Sequence, residues 1–276
     1  MVDIDKIIDA AADMFPFPVV ARKLLAAIEK DASIKYITEI VSLDPSITAK
    51  IIAVANSPFY AAIREITDIV QATARIGFET VRQIAITNSL GKLFSKTDLS
   101  GKLLWEHSVA VSLFNKYLAQ KSDKIDSEST AGTIGLLHDF GKMVLKKAAP
   151  EDYNIIFERF YNGNEDMKSI ELDILGISHD YVAGKLAEVW NLGDTAAYAL
   201  SHHHGPFDKD GELNYYALLT SVADAIANAE GIGRREPIDI DIESSEPFRL
   251  LEITAEDTEY ARKKGLKEFS DTLNLL

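Results

Sequence analysis

The chain has 276 residues, 47% of them hydrophobic and 26% charged, which is the composition of a soluble globular protein with enough length for a sizeable core. Its formal net charge of −14 excludes a general nucleic-acid binder, because phosphate affinity needs a concentrated basic surface. The absence of cysteine excludes disulfides, thiolate zinc sites and thiol nucleophiles, and a reducing compartment fits it.

The opening segment MVDIDKIIDAAADMF carries acids and lacks a basic region before an apolar run, so it does not read as a signal peptide. No stretch approaches the ~20 apolar residues that a membrane span needs. The expected setting is cytoplasmic, with no membrane partner.

Helical periodicity dominates the chain. A first amphipathic helix is expected from Asp5 up to the two prolines of PFP, where the backbone stiffens. VVARKLLAAIEKD and IKYITEIVSLD follow with apolar residues every three or four positions. Asp44 and Pro45 form a cap and first-turn pair for the next helix, which Asn56, Ser57 and Pro58 end. ITDIVQATARIG and FETVRQIAITNSLGKLF complete an all-helical N-terminal lobe, and SKTDLSG is the best internal boundary.

Beyond it, LLWEHSVAVSLFNKYLAQK, STAGTIGLLHDFGKMVLKKA and PEDYNIIFERFYN each read as one helix. MKSIELDILGISHDYVAGKLAEVWN holds two pieces broken near Gly176, TAAYALSHHHGP ends at a glycine and a proline, and LNYYALLTSVADAIANAEGIG is another helix. RREPIDIDIESSEPF reads as a loop or connector, after which Thr254 and Asp257 resemble a capping box for a last helix. The expected architecture is all-α, a two-lobed helical globule with an N-terminal lobe (residues 1–95) packed on a second lobe (96–232), followed by a connector and helix (233–276). There is no internal repeat.

All six histidines fall between positions 107 and 204. His107 shares a helix face with Leu104, Val111, Phe114 and Leu118, which points it inward, where its ring needs a polar partner. His138 and Asp139 interrupt an apolar run, and a buried carboxylate calls for a cation. A His–Asp hydrogen bond or a helix-end cap before Gly141 answers the same pattern. Ser178 is placed to cap the helix that His179 enters, which also allows a surface histidine there. His202, His203 and His204 sit at a helix C-terminus, His202 on the surface. Asp224 lies among small and apolar residues, in line with Thr220 and Asn228, so a plain polar stripe is an alternative to a ligand. Imidazole and carboxylate together, without thiolate, suit one or two divalent transition-metal ions such as Fe, Mn or Zn.

GLLHDFGK with its flanking histidines resembles the HD superfamily of metal-dependent phosphohydrolases. DPSITAKIIAVANSPFY and ITDIVQATARIGFETVRQIAI narrow the resemblance to the HDOD family of bacterial signalling output domains, from about Phe15 to Asp224. It implies His107, His138, Asp139 and Asp224 as metal ligands. Similarity to the HD-GYP phosphodiesterases adds Lys142, His179, His203 and His204, with Asp139 bridging two ions and Lys142 positioning a substrate phosphate. His202 has no counterpart. The segment GPFDKDGELNYY lacks the Gly-Tyr-Pro signature, and Leu103 stands where some relatives place a glutamate for a third metal. The implied function is a regulatory output module that binds a signalling protein or a small phosphorylated ligand, and the alternative is a metal-dependent phosphohydrolase with Asp139 and Lys142 as catalytic residues.

Overall fold

The computed structural model describes residues 10–11, 13–28, 32–57, 60, 65–94, 98–162, 165–234 and 236–273. The structure is 71% helical, with only two short strands among the described residues, so it is all-α. Two compact units are present, one within Phe17–Phe94 and one within Ser95–Phe269, to which residues 10–11 and 13–16 also belong. Most of the first expected helix lies outside the described residues; residues 10–11 and 13–14 are helical.

The first unit contains α1 (Val19–Ile28), α2 (Ile34–Ser42), α3 (Pro45–Ala55), α4 (Ile69–Ile76) and α5 (Phe78–Leu90), which runs into a 3-10 turn over Gly91–Leu93. Its helix starts are chemically explicit. The Asp44 carboxylate accepts from the N–H groups of Ser46 and Ile47 with Pro45 in the first turn, and Asp68 accepts from Val70 and Gln71. Such caps satisfy donors that a helix start otherwise leaves orphaned, each worth ~1 kcal/mol. Asn56 ends α3 and also exchanges two 2.8 Å hydrogen bonds with the backbone of Ile66, tying that helix end to the chain leading into α4.

The second unit is built on α6 (Leu99–Ala119), α7 (Glu128–Leu137), α8 (Phe140–Ala148), α9 (Pro150–Asn162), α10 (Met167–Leu175), α11 (His179–Val189), α12 (Asp194–Ser201) and α13 (Tyr215–Ala229). Helix α14 (Glu246–Leu250) interrupts the acidic connector, and α15 (Ala255–Leu273) closes the described chain. The capping box forms as expected: Thr254 N–H donates to Asp257 at 2.9 Å, and Asp257 N–H donates to Thr254 Oγ1 at 3.2 Å. No helix is long and apolar enough to cross a membrane among the described residues.

Helices α6 and α7 approach closely because glycine faces the contact. A methyl on Gly135 would meet the Val111 carbonyl at 2.8 Å and the Ser112 Cα at 2.9 Å. A polar seam stitches the same contact to α13. Ser112 Oγ donates to the Gly132 carbonyl at 2.7 Å, and the buried Asn115 amide donates to the Ala131 carbonyl and to Thr220 Oγ1, both at 2.9 Å.

One local expectation is corrected, and one element is added. STAGTIGLLHDFGKMVLKKA is two helices, with His138 and Asp139 at the junction between α7 and α8. Asp139 has φ −96° and ψ 4°, in the bridge region where helical continuity is lost. Apolar periodicity runs through the break because both helices bury their inner faces, so the pattern cannot reveal it. In GPFDKDGELNYY, Asp208–Lys209 pairs antiparallel with Glu212–Leu213 in a two-residue hairpin around Asp210 and Gly211, both at positive φ. Strands that short carry no alternation to detect.

Candidate metal centre

Five elements of the second unit bring the candidate ligands together. His107 comes from the middle of α6, His138 and Asp139 from the α7–α8 junction, and His179 from the first residue of α11. His203 and His204 follow the end of α12, and Asp224 projects from α13. His138, His179 and His203 have no solvent exposure, Asp139 is 2% exposed and His107 6%. The surface alternative for His179 is therefore overturned. Ser178 stands at the N-cap of α11 but makes no capping hydrogen bond, because its hydroxyl is spent on the Asp180 carboxylate.

The rings are oriented by one repeated device. Nδ1 lies 3.0 Å from the Ile232 carbonyl in His107, 2.8 Å from Gly135 in His138 and 2.9 Å from Leu200 in His203. In His179 it lies 2.6 Å from Glu171 Oε2. These oxygens can only accept, so each Nδ1 carries a proton, and Nε2 offers a lone pair to an ion whenever the ring is neutral. Those Nε2 atoms face the carboxylates. Asp139 Oδ2 lies 3.8 Å from His107 and 3.4 Å from His138, while Oδ1 lies 3.3 Å from His179 and 3.9 Å from His203. Asp224 Oδ1 lies 2.8 Å from His107 and 3.9 Å from His138, and His204 Nε2 lies 3.1 Å from His179 Nε2.

Three overlapping sets of donors are close enough to share an ion: His107 with His138 and Asp224, His179 with His203 and His204, and His138 with Asp139 and His203, the Asp139 carboxylate turning one oxygen toward His138 and the other toward His179. Donors ~2.1 Å from an ion are separated by about 3.0 Å at right angles and about 3.4 Å at the tetrahedral angle. The observed separations fall around those values. His138 Nε2, His203 Nε2 and Asp139 Oδ1 are buried without a hydrogen-bond partner, at a cost of ~1–3 kcal/mol each unless something else binds them. The residues fit a metal ion, and this buried His/Asp cluster can hold one.

Electrostatics agree with the geometry. Burial opposes ionisation of Asp139, yet the charges of His138 and Lys142 hold its carboxyl well below the usual range. Burial opposes the charge on Lys142 as well, and Asp139, 2.6 Å from its Nζ, more than compensates and raises it. Burial opposes protonation of His138, but Asp139 outweighs it and the ring sits above its ordinary value. Burial depresses His203 strongly, helped by the neighbouring rings of His204 and His138. His204 is depressed by the protein packed around its ring and by His179, although the residue's outer edge meets solvent at the rim. Asp224 is held low against the effect of burial by its hydrogen bond to His107.

The polar stripe on α13 is real and serves the site: Asn228 donates to Asp224 Oδ1 at 2.8 Å, while Thr220 is taken up by Asn115. His202 stays outside the cluster, half-buried and stacked on Tyr198 with ring centroids 3.9 Å apart. Glu171 was missed by the sequence reading. A signal existed, because it occupies the buried face of α10 with Met167, Ile170 and Leu175, where an acid has no ordinary place.

A family model, the HDOD domain, matches residues 14–206. The chain belongs to the HDOD family. An HDOD domain protein of unknown function from Geobacter sulfurreducens superimposes with a TM-score of 0.73 at 19% identity, covering 98% of this chain and 96% of its own. A Marinobacter aquaeolei protein with a provisional signal-transduction assignment gives 0.75 at 20% identity, covering 99% of this chain and 64% of its own. A Shewanella amazonensis protein with a provisional phosphohydrolase assignment gives 0.66 at 19% identity, covering 94% and 97%. At these identities the structures share the HDOD fold. An uncharacterized protein of Treponema pallidum is 24% identical over 218 residues, which are 79% of this HDOD chain and 42% of that protein. This chain thus spans less than half of that relative and less than two thirds of the Marinobacter structure.

Proposed function

We propose that this HDOD protein is a cytoplasmic regulatory output module that acts by binding a signalling protein or a small phosphorylated ligand, with a metal centre of one or two ions in its second unit. One observation carries the metal part: four imidazoles commit Nδ1 to fixed acceptors while their Nε2 atoms converge on Asp139 and Asp224. Neutral imidazole with carboxylate suits Fe, Mn or Zn. His107, His138 and Asp224 would hold one ion and His179, His203 and His204 the other, with Asp139 shared between them. Bound there, the metal supplies Lewis acidity toward a phosphoryl oxygen and acidifies a coordinated water.

Lys142, with part of its side chain open to solvent, places a cation beside the cluster and favours a phosphorylated ligand over a neutral one. Family membership and the Marinobacter structure's signalling assignment support the regulatory reading. Leu103 and the missing Gly-Tyr-Pro signature weigh against turnover of cyclic dinucleotides. The second reading is a metal-dependent phosphohydrolase, favoured by the clustered His/Asp donors and by the Asp139–Lys142 pair.

Elemental analysis of protein purified without chelator, beside a variant with His138 and Asp139 both replaced by alanine, tests the centre. Near-stoichiometric Fe, Mn or Zn is expected in the parent and absent from the folded variant. A parent that is metal-free and takes up no added metal overturns the proposal. The loaded parent is then screened against nucleotides, cyclic dinucleotides and simple phosphodiesters. Turnover that disappears in the variant replaces the regulatory reading with the enzymatic one.

A further inference from the structure

We propose that Glu171 is a positioning residue that governs the His179–His203–His204 subsite and leaves the His107–His138–Asp224 subsite unaffected. This rests on the metal-holding reading and concerns a residue outside the ligand set. Three of the four inward rings are held by main-chain carbonyls, which are neutral and which no side-chain replacement removes. His179 is held by a charge. Glu171 is fully buried, and its Oε2 accepts both the backbone N–H of His179, at 2.7 Å, and the ring Nδ1–H, at 2.6 Å. Its Oε1 accepts from the buried Tyr153 hydroxyl at 3.0 Å. Both oxygens are committed, so the carboxylate cannot rotate without losing a bond, and the orientation of the His179 ring follows from that of Glu171.

Two consequences follow for the subsite. An imidazole donating Nδ1–H to a carboxylate is a more basic ligand at Nε2 than one donating to a carbonyl. The His179 Nε2 faces Asp139 Oδ1 and His204, so this added basicity is delivered to one subsite. In turn, a carboxylate without solvent is costly unless positive charge compensates it. The hydrogen bonds to Glu171 come from the His179 main chain, the His179 ring and the Tyr153 hydroxyl, so compensating charge has to come from beyond them, from Lys142 and from an ion held at the subsite. The other subsite is reached through Asp139, whose Oδ2 it shares, and through the packing of the His203 ring on His138, neither of which involves Glu171 directly.

The test is a zinc titration of the full chain against a chromophoric chelator, with elemental analysis after gel filtration. It compares the parent with Glu171→Gln, Tyr153→Phe and, as a control on the other subsite, His107→Ala. Glutamine keeps the volume and can accept both His179 N–H groups through its carbonyl while its amide faces the Tyr153 oxygen, so the charge is what is lost. The parent is expected to bind two ions. E171Q should weaken one of them by about 10–100-fold, the usual effect of removing such a partner, and leave the other unchanged. Y153F should weaken the same ion by a smaller factor, and H107A the other ion. E171Q that keeps the parent's affinities, or loses both ions equally, overturns the proposal. Should E171Q not fold, Y153F decides alone: equal weakening of both ions, or no weakening, overturns it. A parent that binds no zinc is a different failure, visible before any variant is compared, and overturns the metal reading itself.

Discussion

Replacing Gly141 with alanine reverses the usual sign of a glycine-to-alanine change in a helix. Gly141 lies in the first turn of α8, two residues after Asp139. A methyl built there would stand 1.9 Å from the His179 carbonyl oxygen, 2.7 Å from its carbon and 2.9 Å from its Cα. An ordinary approach of carbon to a carbonyl oxygen is ~3.3 Å, so α8 and the start of α11 must separate by about 1.4 Å. The obstacle is backbone, and no side-chain rotation relieves it. Helix propensity favours alanine by ~1 kcal/mol, whereas overpacking of this severity lies at or beyond the top of the ~1–3 kcal/mol range. The clash wins, and a net loss of about 2 kcal/mol is expected. Metal ligands tolerate displacements of only ~0.2 Å, so a fraction of that separation is enough to withdraw His179 from its subsite. Urea unfolding of the metal-free variant reads the first effect and zinc stoichiometry the second. A variant as stable as the parent, with the same metal content, would refute the reasoning.

Asn115→Ala removes two donated hydrogen bonds from the seam joining α6, α7 and α13, leaving the Ala131 carbonyl to its own helix and Thr220 Oγ1 with the bond it donates to the Tyr216 carbonyl. Since the Asn115 Oδ1 is itself buried without a partner, and both acceptors keep a second bond, the expected cost is about 1–2 kcal/mol by equilibrium unfolding; a neutral substitution would contradict the seam. In the first unit, Asp44→Ala should cost ~1 kcal/mol through loss of the α3 cap. Burial opposes ionisation of Asp44, but Lys92 at 2.6 Å and the N–H groups of Ser46 and Ile47 lower its pKa to about 2. A folded pKa below the unfolded one means the stabilisation is present above about pH 4 and lost as the pH falls toward 2. Linkage alone would set it near 2 kcal/mol, and screening at this exposed pair reduces it to ~1 kcal/mol. Acid titrations of parent and D44A should therefore converge below pH 2, and parallel curves through that window would exclude the cap as their source.

Helix positions were readable because periodicity and caps act within a few residues. Asp44, Gly176 and the Thr254–Asp257 pair mark their boundaries by local chemistry that survives in any tertiary setting. The types of candidate ligand were readable for a related reason, because His138 and Asp139 in an apolar run demand a partner wherever they are buried. The break between α7 and α8 was not readable, since apolar spacing runs through it, and the close approach of Gly141 to the His179 backbone, 38 positions away in the chain, exists only in the fold. Nor could the sequence assign the roles of Glu171, whose acidity on an apolar face signals only that something must answer it.

What the chain determines by itself is therefore its helices, its exclusion of thiolate chemistry and its stock of imidazole and carboxylate. The tertiary structure decides which ring nitrogen faces inward and which oxygen of Asp139 faces which group of histidines. Those choices are made by backbone carbonyls of Ile232, Gly135 and Leu200, and a carbonyl is the same atom pair in every residue, so its part in a site appears only when packing brings it to a ring.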